Sequence, residues 1–80
     1  MARILQLGAG KLMTHSIRQI QALGHDVFVV DRNKYAPGFM VADGYSPIDI
    51  ADAAQTIAYA RDIGADAVLA VNDAGALTPS

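Results

Sequence analysis

The sequence predicts an α/β domain: a parallel four-stranded sheet of order 3-2-1-4 with one helix on each face. Three observations predict it. Short apolar runs alternate with helical patterns in the order β-α-β-β-α-β. The first run, Arg3-Ile4-Leu5-Gln6-Leu7, breaks on Gly8-Ala9-Gly10-Lys11 directly into a helical pattern. The third run carries Pro47, which cannot donate to a ladder and so belongs on a sheet edge. Right-handed crossovers then give the stated order. A split β-α-β-β-α-β sheet of the ferredoxin-like kind has the same linear order. It ranks second, because strands one, two and four read as buried on both faces, which suits parallel strands.

Each element has a local reason. Strand one covers Ala2–Leu7. Helix one covers Lys11–Leu23, with Met13, Ile17, Ile20 and Ala22/Leu23 as its inward stripe and Arg18, Gln19 and Gln21 outside. Gly24 ends it. Strand two is the β-branched run Val27–Asp31. A loop over Arg32–Gly44 is punctuated by Ala36-Pro37-Gly38. Strand three is Tyr45–Ile48. Helix two spans Ile50–Ile63, with Asp49 as N-cap, Asp52 in its first turn and Gly64 after its end. Ala53/Ala54, Ile57, Ala58 and Ile63 are read as its inward face. Strand four is Ala67–Val71, followed by Asn72-Asp73-Ala74-Gly75. One helix per face leaves part of the sheet uncovered. The expectation is a longer chain of which residues 1–80 are the N-terminal part, or a partner such as a second copy in a homodimer.

Composition narrows the class. The chain has 80 residues, 52% of them hydrophobic, a formal charge of −2 and no cysteine. Eighty residues allow one domain. Lys and Arg do not cluster, so neither nucleic acid nor an anionic membrane is an expected partner. Without cysteine there is no disulfide framework or thiolate metal site. No leader pattern follows Met1, and a cytoplasmic location is the default expectation.

The chemistry is expected beyond the carboxyl ends of the strands, where the loops Gly8–Lys11, Asp31–Asn33 and Asn72–Gly75 would meet. Gly8 and Gly10 allow a tight turn and close backbone approach, and a helix start offers free N–H donors to an anion. The third glycine of a dinucleotide fingerprint is missing: Met13 stands there. Lys11 in the first helical turn opposes the helix dipole, which an anionic ligand or a nearby acid would offset. The alternative is that Lys11 points to water. Asp31 stands where nicotinamide-dinucleotide enzymes place a ribose-binding acid, or it caps its own loop. Asn72 and Asp73 can bond a polar substrate group or form an Asx turn. His15 and His25 have no metal-ligand spacing, no nucleophilic triad is recognisable, and Tyr35 and Tyr45 read as loop packing. No catalytic or metal-binding residue is therefore assigned.

Taken in order, these residues resemble a known family. The series is Ile4-Leu5-Gln6-Leu7-Gly8-Ala9-Gly10, Leu23-Gly24-His25-Asp26-Val27, Val30-Asp31-Arg32-Asn33, Ala36-Pro37-Gly38, Ala42-Asp43, Ile48-Asp49 with Asp52, and Ile63-Gly64-Ala65-Asp66-Ala67-Val68 before Asn72-Asp73. It is similar to the N-terminal (preATP-grasp, Rossmann-like) domain of the ATP-grasp carboxylate–amine ligases. The resemblance implies a 3-2-1-4 sheet. It implies that ATP and magnesium bind in later domains, outside this segment. It also implies that the front domain helps hold a small anionic substrate, a carboxylate or phosphate. The matching positions are Gly8, Ala9, Gly10 and Lys11, with Asn72 and Asp73. Relatives often carry Glu or Gln before Leu-Gly where Lys11-Leu12-Met13 stand, and Glu where Asn72-Asp73 stand. The whole enzyme would activate a carboxylate as an acyl phosphate for attack by an amine, with the isolated segment inactive. Two other readings remain open: a nicotinamide-dinucleotide domain using Gly8, Gly10 and Asp31, and a non-catalytic interaction module.

Overall fold

The computed structural model describes residues 1–70. Its elements are β1 (Arg3–Leu7), α1 (Met13–Ala22), β2 (Asp26–Val30), a 3-10 turn (Pro37–Met40), β3 (Gly44–Ser46), α2 (Ala53–Ile63) and β4 (Ala67–Ala70). The sheet order is β3-β2-β1-β4, and every pairing is parallel. The expected architecture is present. Asn72 and Asp73 lie outside the described residues.

The two cores follow from strand alternation, since neighbouring side chains leave a strand on opposite faces. On one face Val27 and Val29 meet Ile17 of α1, together with Ala9, Ala36 and Phe39. On the other, Leu5 and Val30 meet Ile48, with Tyr59, Ala60 and Ile63 of α2 packed against them. Fully burying such side chains contributes about 1.5–3 kcal/mol each, which makes the central strands the stable part of the fold.

Several local expectations are corrected. Helix α1 starts at Met13 rather than Lys11, because residues 11 and 12 form a turn. Its stripe of Met13, Ile17 and Ile20 faces inward, but Leu23 is 76% exposed beyond the helix end. Gln21, expected outside, is half-buried; its Nε2 donates to the Val41 carbonyl and to Asp43 Oδ2. Helix α2 starts at Ala53 with Asp52, not Asp49, as its N-cap; Asp52 accepts from the Gln55 N–H. Asp49 instead holds the turn before the helix, accepting from the Ala51 N–H at 2.9 Å. The later start comes with an inward face of Thr56, Tyr59, Ala60 and Ile63, while Ile57 is 52% exposed and Ala53, Ala54 and Ala58 are exposed.

β3 ends at Ser46, so Pro47 follows the strand instead of interrupting it. β4 is exposed along its whole length and is not doubly buried. Tyr45 stacks on Phe39 at a ring separation of 4.4 Å, whereas Tyr35 is 80% exposed, with the Lys34 ammonium 5.4 Å from its ring centroid.

The segment expected as a plain loop contains the 3-10 turn, and this turn supports the glycine turn. The Gly38 N–H donates to the Ala9 carbonyl at 2.7 Å. A Cβ at Gly38 would lie 2.8 Å from the Ala9 Cβ, so the two backbones approach as closely as they do only because residue 38 has no side chain. Asp43 closes the far end of this segment, accepting from the Val27 N–H at 2.7 Å.

Candidate functional site

The site is built on the carboxyl ends of β1 and β2. Gly8 follows β1 with φ 107°, a conformation that favours glycine, and its N–H donates to the Val30 carbonyl at 2.8 Å. The chain therefore stays in the sheet for one further bond before turning. Beneath it lies Gln6, fully buried in an otherwise apolar strand. Gln6 Nε2 donates to the Gly8 carbonyl at 3.3 Å, and the Ser16 hydroxyl donates to Gln6 Oε1 at 3.2 Å. The buried amide thus ties the turn to the middle of α1, and its two ends are both paired, as burial requires.

Asp31 stands directly after β2. Its Oδ2 accepts from the Ala9 N–H at 3.0 Å and its Oδ1 from the Asn33 N–H at 2.9 Å. One carboxylate therefore caps both the glycine turn and its own loop. Ala9 is itself fully buried against the 3-10 turn. Further along, the N–H groups of Gly10, Lys11 and Leu12 find no acceptor among the described residues. These orphan donors at the start of α1 are the groups a bound anion would satisfy. Lys11 is exposed beside them. A Cβ at Gly10 would meet no heavy atom within 4 Å, so the space in front of that backbone is open.

A cleft of about 320 Å³ opens at Gly8 and is lined by Asp31, Arg32, Asp49 and Ile50. It lies over the ends of β1, β2 and the segment after β3. Sequence reading brought Gly8 and Asp31 to this end of the sheet but assigned no binding role to Arg32, Asp49 or Ile50. The Asp-Arg dipeptide at a strand end was the available signal. Asp49 was missed because it reads equally well as a helix cap. Among the described residues, no group of three His, Asp or Glu side chains could hold a metal ion. No helix there is long and apolar enough to cross a membrane.

The fold has counterparts among known proteins. No family model matches the chain. It is 46% identical over 52 residues to the formate-dependent phosphoribosylglycinamide formyltransferase of Burkholderia vietnamiensis, a match over 65% of this chain and 13% of that protein. The enzyme of the same name from Burkholderia lata matches at the same identity and extent. Among solved structures, glycinamide-RNase-transformylase T of Mycobacterium tuberculosis superposes with a TM-score of 0.80 at 27% identity, over 88% of this chain and 20% of that one. These relatives are ATP-grasp superfamily proteins, and this chain is similar to them.

Its residues correspond to the N-terminal region of those ATP-grasp proteins. The fold extends to more distant structures. N5-carboxyaminoimidazole ribonucleotide synthetase of Thermotoga maritima superposes with a TM-score of 0.79 at 22% identity, over 90% of this chain and 19% of that chain. The chain spans 13% of the length of the curated relatives it matches.

Proposed function

We propose that this chain is the substrate-side front domain of an ATP-dependent ligase. The whole enzyme activates a carboxylate as an acyl phosphate and passes it to an amine. The front domain holds a small anionic substrate, carboxylate or phosphate, with Gly8, Ala9, Gly10 and Lys11, together with Asn72 and Asp73. ATP and magnesium bind outside this segment, in downstream ATP-grasp domains, because phosphoryl transfer needs a metal and several positioned groups together.

The observation that carries the reading is the likeness to a phosphoribosylglycinamide formyltransferase, joined to open donors at the turn. Gly10, Lys11 and Leu12 present N–H groups without acceptors among the described residues, while Gly10 leaves room for a ligand. The bonded state of Asp31 favours this over the nicotinamide reading. Its two oxygens each accept a backbone N–H, from Ala9 and from Asn33, which gives the carboxylate a structural role in the turn that needs no ribose.

The test is ATP turnover by this chain alone, with magnesium, formate and glycinamide ribonucleotide. The expected result is no ADP above the protein-free control. Steady ADP formation would place nucleotide chemistry inside these residues and overturn the assignment.

A further inference from the structure

The cleft beside the glycine turn has a charge arrangement of its own. Its walls carry two carboxylates, Asp31 and Asp49, and one guanidinium, Arg32. Each oxygen of Asp31 accepts one backbone N–H, from Ala9 and from Asn33. Asp49 uses only Oδ1, on the Ala51 N–H, which leaves Oδ2 without a partner among the described residues. Arg32 is exposed and likewise has no hydrogen-bond or ion-pair partner among them. Among the described residues the cleft therefore offers one unengaged cation and one unengaged carboxylate oxygen, with Ile50 as an apolar part of its lining. Its volume of about 320 Å³ lies at the small end of the range that ligand sites occupy.

A simple dianion does not suit this cleft, because it would meet two negative charges for one positive. A simple cation would leave the guanidinium unused. We propose that Arg32 and Asp49 select a small zwitterionic amine, with its phosphate or carboxylate on Arg32 and its ammonium on Oδ2 of Asp49. Arginine can grip an oxyanion with two parallel N–H bonds, and charge-assisted bonds of this kind are the strong ones. This inference rests on the proposed function and refines it. It assigns the amine-bearing end of the substrate to the segment after β3, in the cleft that Gly8 also lines.

The test is calorimetric titration of the full chain with phosphoethanolamine, β-alanine and inorganic phosphate. The parent protein is compared with Arg32→Ala, Arg32→Lys, Asp49→Asn and Lys11→Ala. Asp49→Asn keeps an oxygen for the Ala51 N–H and removes only the charge. One of the two zwitterions should bind more tightly than phosphate, and which one does identifies the anionic group. Arg32→Ala should weaken that zwitterion about tenfold or more, as loss of a charge-assisted bond does, with partial recovery in Arg32→Lys. Asp49→Asn should weaken the zwitterion and leave phosphate unchanged or tighter. Zwitterions binding no better than phosphate, or affinity insensitive to both Arg32→Ala and Asp49→Asn, would overturn the inference. Loss confined to Lys11→Ala would also overturn it while keeping the proposed function. Absence of binding by all three probes would count against both.

Discussion

The backbone N–H of Ala9 donates to Oδ2 of Asp31 at 3.0 Å, across twenty-two residues of chain. A strand-end carboxylate thus sits on the first donor of the glycine turn. The donors left for a guest are those of Gly10, Lys11 and Leu12. The turn is pre-formed by its own acid and open one residue further on.

Removing that acid should loosen the turn. Asp31→Ala strands the N–H of Ala9, a fully buried residue, and an unsatisfied donor of this kind costs about 1–3 kcal/mol. Asp31→Asn keeps an oxygen for one of the two bonds and should cost less. Urea denaturation of the two variants checks the order; equal stability of both with the parent protein would deny Asp31 this role.

The support beneath the turn is steric. Gly38→Ala puts a methyl 2.8 Å from the Ala9 Cβ and 2.8 Å from its carbonyl oxygen. Backbone must move to relieve it, at a cost of about 1–3 kcal/mol by the usual scale of overpacking. The expected readout is a lower Tm, with the Phe39 region repacked.

Gly10 separates binding from folding. It has no positive φ, and an added Cβ meets nothing within 4 Å. Gly10→Ala should leave stability unchanged or raised by about 0.4–1 kcal/mol through the unfolded chain. It should nevertheless weaken substrate binding, because the methyl occupies the space in front of the open donors. A variant with unaltered affinity would show that the guest does not approach there.

The pH dependence of α2 follows from its cap. Asp52 is held below its ordinary pKa, first by the backbone N–H of Gln55 and then by the Gln55 side chain. A depressed folded-state pKa means that the contribution is complete above the unfolded-state value. It is lost as pH falls through the folded one. Acid titration followed by circular dichroism should show fraying of α2 in that range, and Asp52→Ala should fray it at neutral pH as well.

Much of the fold was legible because its signals are local. The edge position of β3 was expected from Pro47, although Pro47 stands just past the strand, and Gly24 and Gly64 marked both helix ends. The start of α2 was not legible. Asp49 and Asp52 each make a good cap, and only the packing of Tyr59, Ala60 and Ile63 against Leu5 and Val30 selects the later one. The 3-10 turn was hidden for a similar reason, since Ala36 and Phe39 are buried by contact with residues of β2 and the glycine turn. Gly8 and Asp31 were found from position along the chain. Arg32 and Asp49 line one cleft only because β2 and β3 lie side by side.

The central claim is that these residues hold a small anionic substrate and leave the nucleotide to another part of the protein. The most direct measurement is an amide chemical-shift titration of the chain with glycinamide ribonucleotide, ATP with magnesium, and NADH in turn. The account predicts saturable shifts at Gly10, Lys11 and Arg32 with glycinamide ribonucleotide, and none with either nucleotide. Saturable shifts at the glycine turn with ATP or NADH, and none with glycinamide ribonucleotide, would contradict it.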